Sequence, residues 1–509
     1  MADAGERLAV IDLGSNTFRL VVFTARDGWW KRTDEIAEAV RIGEGLAATG
    51  RLGEAGMWRA QATMEVFAHF CAAAGLRGEE IEALATSAIR DATNAAEFLE
   101  SAQRASGLRV RVLSTTDEAR LGYLAAINSS TLTDGVTLDL GGGSMQLVGV
   151  EGRRARELES WTLGAVRTTE RFLPGDGPAK PKQLRQLRAH VAHELDRAPW
   201  LADHPGRLVG IGGTVRNLGA AAQRDLGIPE FGVQGYVLER GELDRLVEQL
   251  AKMTPAERAR MPGIKPSRGD LILAGALVVQ GVMERGGFDG LEITEAGLRE
   301  GAFFAHHLPG DPPLFDDVRR ASVINLAAQY GMDPARNPHV AHVVALALGL
   351  FDELAAAGVH PGDPGERELL WAACALHDIG MAVDYDDHHK HSRYLVLNAG
   401  LAGFSQREVA LVGQAVRYHR KGMPSLGPFE ALAQKGDAER LERMSALLRL
   451  AEDLERSRDQ LVREAHVSVD GRGVELRLVS AGDDRVSRWA ASREVELFAQ
   501  AFGRPLAVG

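Results

Sequence analysis

The sequence predicts two related α/β domains facing each other across a cleft, followed by an all-α domain and a small α+β tail. Three observations carry this reading. Residues 10–23 (VIDLGSNTFRLVVF) and 137–150 (TLDLGGGSMQLVGV) align without a gap and agree at five of fourteen positions, each reading strand, Asp-x-Gly turn, strand. The first third of the chain alternates strand and helix patterns, whereas beyond about residue 310 long amphipathic stretches take over. The repeat spacing of 127 residues is far wider than the roughly 20–50 residues of a solenoid, so it marks a duplicated domain rather than a stacked array. Two unrelated hairpins that share a turn type are the alternative.

Taken in order, Leu8 to Ile11 is a short apolar run with a turn behind it, and 18–23 (FRLVVF) is a second strand candidate. Helix patterns at 54–74 and 94–105 flank strand-like ALATS (83–87) and RVRVL (109–113). Strand–turn–strand resumes at Val136, and a third strand at 207–211 runs into Gly212-Gly213-Thr214 and a helix. LPGDPPLFDD (308–317) reads as a Pro/Gly/Asp-rich linker. Helices are expected at 340–357, 368–376, 406–418 and 441–454, and a strand pair with a Gly turn at VSVDGRGVELRLVS (467–480), then a helix. The resulting division is 1–125, 126–307, 318–462 and 463–509.

Composition bounds the function. At about 150 residues per domain, 509 residues suggest about three domains. A hydrophobic share of 45% with 25% charged residues excludes a largely disordered chain. With 59 basic against 70 acidic residues, the net charge of −11 argues against a nucleic-acid partner, although a local basic channel is compatible with it. Cys71 and Cys374 lie too far apart for a CxxC site and fit a reducing compartment. MADAGERLAV lacks the layout of a signal peptide. The longest apolar runs, 271–283 and 340–351, fall short of the roughly 18 residues of a membrane helix, so a soluble cytoplasmic protein with no membrane partner is expected.

The two Asp-x-Gly turns carry the chemistry. Gly-, Ser- and Thr-rich turns between strands let backbone N–H groups approach phosphate oxygens, because no Cβ obstructs them. Gly14, Ser15, Asn16 and Thr17 form the first such turn, Gly141, Gly142, Gly143 and Ser144 the second, and Gly212, Gly213 and Thr214 a third. Asp12 and Asp139 at the strand ends would repel phosphate directly but can hold it through Mg²⁺, a hard cation that bridges carboxylate and phosphate. Arg90, between a strand and a helix, is the arginine expected to reach the cleft. Arg19, also placed in the phosphate-binding set, shares its turn-rich context with Arg167, Arg268 and Arg299, for which a solvated surface arginine is the default. Glu118 admits two roles. Thr115-x-x-Glu118 matches a capping box, and the glutamate equally suits a general base that directs water onto phosphorus.

The motifs DLGSNTFRLVVF (12–23), ATSAIRDATN (85–94), DEAR (117–120), DLGGGS (139–144), LGAVRTTERF (163–172), GIGGT (210–214) and GLREG (297–301) stand in this order, followed by HDIG (377–380), HKHSRYLVLNAGLAGFS (389–405) and RYHRK (417–421). The series resembles the exopolyphosphatase/guanosine pentaphosphate phosphatase family over nearly the whole chain. The resemblance implies an actin-like (ribonuclease H-like) fold and Mg²⁺-dependent hydrolysis of terminal orthophosphate from inorganic polyphosphate, with Mn²⁺ as an alternative metal. Guanosine pentaphosphate is the alternative substrate, and a homodimer is expected by analogy. Carried over by position, the catalytic glutamate is Glu118, the metal-holding aspartates are Asp139 and Asp12, and the family's usual Thr-Glu after GGGS is here Met145-Gln146. The resemblance also makes 318–462 an HD-type domain with a second divalent-metal site at His342, His377, Asp378, His391, His419 and Glu452, or else a vestigial one whose polar groups bind the polyphosphate tail. Two other readings stay open: a non-hydrolysing actin-like nucleotide switch, and phosphohydrolase chemistry seated in the helical domain itself.

Overall fold

Apolar alternation builds the first sheet. In the computed structural model, which describes residues 5–26, 28–204, 206–229, 231–471 and 473–509, the strand β1 (Glu6–Leu13) sends Leu8 and Val10 into one core cluster and Ala9, Ile11 and Leu13 into another. Residues 1–4 of the N-terminus and Arg472 of the C-terminal turn, both used in the sequence reading, lie outside the described residues. Period-two side chains that are apolar on both faces require cover on both faces. On one side the helices Glu54–Ala73 and Ala95–Ser106 supply it. On the other, Thr115–Ile127 and Leu298–His307 do.

β2 (Phe18–Arg26) and β3 (Trp29–Glu38) continue as an antiparallel meander, while β4 (Ile81–Ala85) and β5 (Val110–Val112) run parallel to β1, giving the order β3-β2-β1-β4-β5. The second sheet repeats the plan. β6 (Gly135–Leu140), β7 (Met145–Glu151) and β8 (Arg154–Trp161) form the meander, and β9 (Arg207–Ile211) and β11 (Gly290–Ile293) the parallel half. One extra antiparallel edge strand, β10 (Tyr236–Glu239), pairs with β11. The order β10-β11-β9-β6-β7-β8 contains the same five-strand topology, so the fourteen-residue repeat read in the sequence is the trace of two whole sheets. The hairpin registers agree as well: Asp12 stands opposite Arg19, and Asp139 opposite Gln146.

The expected linker at 308–317 is anchored instead. Asn128 donates to the Pro313 carbonyl at 3.0 Å and accepts from the Phe315 N–H at 2.9 Å, and Leu308, Leu314 and Phe315 pack against the core shared by β1, β7, β9 and the helices Thr115–Ile127 and Leu298–His307. The physical reason is that its apolar residues find cover beside a Pro-rich backbone that is satisfied by one asparagine.

Contacts divide the chain into two compact units, the first comprising 1–227 and 232–318, the second 228–231 and 319–509. The second unit is mainly helical, with Pro338–Ala356, Pro364–Leu376, His388–Asn398, Gln406–Arg417 and Asp437–Leu454 as its principal helices. Ser405 and Glu408 form a reciprocal capping box that starts the fourth of these. Helix Pro338–Ala356 is longer than its apolar run suggested and reaches the length and apolarity of a membrane span. It instead buries Val343, Leu346, Ala347 and Leu350 in the bundle and carries His339 and His342. β12 (Val462–Val469), β13 (Val474–Ser480) and β14 (Leu506–Val508) make a three-stranded sheet in the same unit. Both cysteines are free and buried.

Candidate active site

The two matching hairpins bring their turns to one cavity of about 130 Å³ within the first unit. Asp12, Gly14, Ser15, Asn16, Thr17 and Arg19 line it from β1–β2, and Asp139, Gly141, Gly142 and Ser144 from β6–β7. Gly212 and Gly213 open the helix Gly213–Asp225 onto the cavity, and Gly297 opens Leu298–His307. Gly212 has φ 104°, a conformation that favours glycine, and caps the helix Gly213–Asp225, whose N-terminus meets the cavity.

Three carboxylates meet there. Burial, with Glu118 and Asp12 close by, pushes Asp139 up to about 7. Burial likewise pushes Asp12 up to about 6, against the pull of Arg299 and Arg19. A cation between them would offset both charges and displace the protons that burial favours, and hard oxygen donors of this kind suit Mg²⁺. Facing the acids are Arg19, Arg216, Arg268 and Arg299. Burial and the neighbouring Arg299 push Arg216 down to about 10, and burial and Arg19 do the same to Arg268. Glu35 pairs with Arg19 at 3.1 Å and approaches Arg299 at 3.9 Å, a single carboxylate beside several cations, and the donor set fits a divalent cation carrying phosphate.

Glu118 lies on the cavity wall and is 6% exposed. Its Oε2 accepts from Arg90 Nη1 at 2.6 Å, and its Oε1 accepts from the Ser144 hydroxyl at 3.1 Å. Gln146 Nε2 in turn donates to Ser144 Oγ at 2.9 Å. The capping-box expectation for Thr115 and Glu118 is displaced by one residue. Ser114 is the cap, accepting from the Asp117 N–H, which leaves Glu118 on the inner face of the helix.

Arg90 does not line the cavity. It joins Glu118 to the Leu113 carbonyl and to Asp91, because the turn after β4 aims it along the base of the Glu118 helix. Gly143 lies between the loops, where a Cβ would strike the Ser15 and Ser87 hydroxyls, and Thr214 is buried with its methyl against Gly275. Both therefore shape the site rather than face it. Thr86, Ser87 and Arg216 are lining residues that the sequence reading missed, and of the two arginines set aside as surface residues Arg299 is buried at the cavity and Arg268 half-buried there. The signal for Thr86 and Ser87 was present in ATSAIR, which was read for its arginine alone, that for Arg216 in the residues just after GGT, and that for Arg299 in GLREG.

The second unit holds its own cluster. His339, His377, Asp378 and Glu452 bring one ligand atom each within 4.8 Å of one another, as do Asp378, His388 and His419. Two expected members are replaced. His342 bonds the Val462 carbonyl at 2.8 Å and stands 3.6 Å from Glu455, so His339, three residues earlier, is the residue that meets Glu452. His391 is outside the cluster and His388 inside, because the face of His388–Asn398 packed on the His-Asp turn carries His388 and the buried Ser392, whose hydroxyl receives the Gly380 N–H.

Comparison with known proteins agrees with this architecture. The family model described as Ppx/GppA phosphatase family matches residues 21–308, and the one for Ppx/GppA phosphatase, domain III, matches residues 318–488. A curated relative from Vibrio vulnificus (strain YJ016), named guanosine-5'-triphosphate,3'-diphosphate pyrophosphatase, is 28% identical over all of this chain and 99% of its own. The crystal structure of the Aquifex aeolicus member of the Ppx/GppA family is 30% identical, with TM-score 0.50 over 58% of this chain and 96% of that one. An exopolyphosphatase from Cytophaga hutchinsonii shares the fold at 21% identity, with TM-score 0.55 over 59% and 97%. With the duplicated sheets, the paired Asp-x-Gly turns and a family match across more than half its length, the chain belongs to the Ppx/GppA phosphatase family.

Proposed function

We propose that the chain is a Mg²⁺-dependent exopolyphosphatase that removes terminal orthophosphate from inorganic polyphosphate. The observation that carries the reading is Glu118, held by Arg90 and Ser144 at the wall of a cavity that two phosphate-type loops and four arginines line. A cavity of about 130 Å³ admits a terminal phosphoryl group, and among the described residues no aromatic ring lines it to stack a base. Asp12 and Asp139 are the residues that would hold the divalent cation, whose charge would offset that of the phosphate oxygens.

Arg19, Arg216, Arg268 and Arg299, with the N–H groups of the glycine turns, bind and orient the terminal phosphate. Glu118 accepts the proton of a water as its oxygen attacks the terminal phosphorus. The anhydride P–O bond breaks, releasing orthophosphate and a chain shorter by one unit. Arg90 and Ser144 fix both carboxylate oxygens, so the lone pair that takes the proton is aimed before substrate arrives.

A second reading, hydrolysis of guanosine pentaphosphate to the tetraphosphate, is favoured by the full-length Vibrio vulnificus relative. Phosphate release from long-chain polyphosphate and from guanosine pentaphosphate, measured side by side with Mg²⁺ and with Mn²⁺, separates the two. Turnover of the nucleotide alone would replace the first reading by the second, and release from neither would remove both.

A further inference from the structure

We infer that Asp91 and Arg167 are positioning residues for Glu118: their ion pair bridges the lobe of β1–β5 and the lobe of β6–β11 and fixes the direction of the base from behind. The role of Glu118 as the base rests on the hydrolytic reading above, whereas the bridge rests on contacts independent of it. Arg167, by default a solvated surface arginine in the sequence, has a side chain only 17% exposed, and among the described residues its carboxylate partner is Asp91.

Arg90 is the first link. Its Nη1 donates to Glu118 Oε2 at 2.6 Å and to the Leu113 carbonyl at 3.1 Å, and its Nε donates to Asp91 Oδ1 at 3.3 Å. A guanidinium is planar and rigid, so acceptors at Nε and Nη1 together fix its plane. Without Asp91 the group keeps one anchored edge and can turn about it. The other oxygen of Asp91, Oδ2, accepts from Arg167 Nη2. One carboxylate thus stands between two arginines, and all three side chains are less than a third exposed, where water screens charge weakly.

Arg167 stands on the helix Ala165–Phe172, whose first N–H groups, of Ala165 and Val166, donate to the Gly141 and Gly142 carbonyls at 3.0 and 2.8 Å. Those glycines belong to the loop that ends in Ser144, the donor to Glu118 Oε1 at 3.1 Å. The contacts close a ring around the base, running from Glu118 Oε2 through Arg90, Asp91, Arg167, the second phosphate loop and Ser144 back to Glu118 Oε1. Arg90 and Asp91 come from the turn after β4, and Ser144 and Arg167 from the other lobe. Glu118 is therefore gripped by one donor from each lobe, and the Asp91–Arg167 bridge sets the spacing of the two donors. A second tie crosses the same seam to the same helix, from the Gly45 N–H to Glu170 Oε1 at 2.9 Å. Widening the seam breaks the bridge and draws the donors apart, so the base is aimed when the lobes are together.

Asp91→Asn, Arg167→Gln and their double variant are compared in steady-state phosphate release from whichever of the two substrates is turned over. Each single substitution is expected to lower kcat by about 10-fold with KM within about twofold, as a misaimed base does and lost binding does not. The double variant is expected to lose no more than the worse single one, since either change breaks the same bridge. Placed on Glu118→Gln, which has no base to aim, Asp91→Asn is expected to change the residual rate by less than about twofold. An unchanged kcat, losses that multiply in the double variant, or an undiminished loss on Glu118→Gln overturns the inference. Release from neither substrate removes the hydrolytic reading, and the Tm of the full chain then decides the bridge. Among the described residues Asp91 reaches Glu118 through Arg90. The Tm losses of Asp91→Ala and Glu118→Ala are therefore expected to fall short of additive by about 2 °C or more in the double variant, and additive losses overturn the bridge. Arg167→Ala takes the place of Asp91→Ala if the latter does not fold.

Discussion

Gln146 holds the Ser144 hydroxyl at 2.9 Å by donating its side-chain amide to it. Because the hydroxyl oxygen is already accepting, its own proton is turned to Glu118 Oε1. A glutamate at 146, the residue of the family pattern read in the sequence, has no proton to give and would draw the Ser144 proton to itself. Gln146→Glu is therefore expected to leave Glu118 held by Arg90 alone and to lower kcat by about 10- to 100-fold, as a misaligned base does. Steady-state phosphate release checks it, and an unchanged kcat would show that Ser144 does not orient Glu118.

Glu118→Gln keeps the shape of the side chain and removes its basicity. Hydrolysis is expected to slow by at least about a hundredfold, within the range of losing a general base. Polyphosphate binding, measured by filter retention, is expected to stay within about twofold. Parallel loss of binding and rate would point to a disturbed fold instead.

Stability should carry the mark of the two buried aspartates. An unfolded aspartate titrates near 3.8, whereas Asp12 and Asp139 sit at about 6 and about 7 in the folded chain. Between those values the folded state binds more protons than the unfolded one, so stability from these groups is full below about pH 4 and is lost as pH rises through 6 to 7. The Tm of metal-stripped protein is expected to show this fall, and Asp139→Asn to flatten it. Mg²⁺ should raise the Tm more at pH 8 than at pH 5.5, since protons compete for the same oxygens.

Gly164 starts the helix Ala165–Phe172 directly on the second phosphate loop. The N–H groups of Ala165 and Val166 donate to the carbonyls of Gly141 and Gly142 at 3.0 and 2.8 Å, and a Cβ at Gly164 would overlap the backbone of 142–144. Gly164→Ala is expected to destabilise the protein by about 1–3 kcal/mol, the cost of overpacking. Activity should fall further than stability alone explains, because Ser144 moves with the loop. Denaturant unfolding and kcat measured on the same preparation check both parts.

The sequence made the fold legible where a pattern was local. The Asp-x-Gly hairpins, the glycine turn at 212–214 and the helix 406–418 needed only period and turn chemistry. What stayed hidden depends on which face of an element meets which neighbour. Arg216 looks like a surface residue until the helix starting at Gly213 places it at the cavity, and Arg268 until the turn Pro266–Arg268 lays its guanidinium against Gly213. His339 and His342 differ by less than one helical turn, and only the packing of Glu452 and Glu455 against them decides which one joins the cluster. Arg90, expected to line the cavity, pairs instead with Glu118.

The twin hairpins differ where their registers coincide. Opposite Asp12 stands a guanidinium, and opposite Asp139 a neutral amide. An ancestral pair of identical halves would have had two grips or two aiming devices, but not one of each. Under the proposed function that single cross-strand position divides the duties of the lobes: Arg19 of the first would clasp the anion, and Gln146 of the second, through Ser144, would steer the base that cuts it.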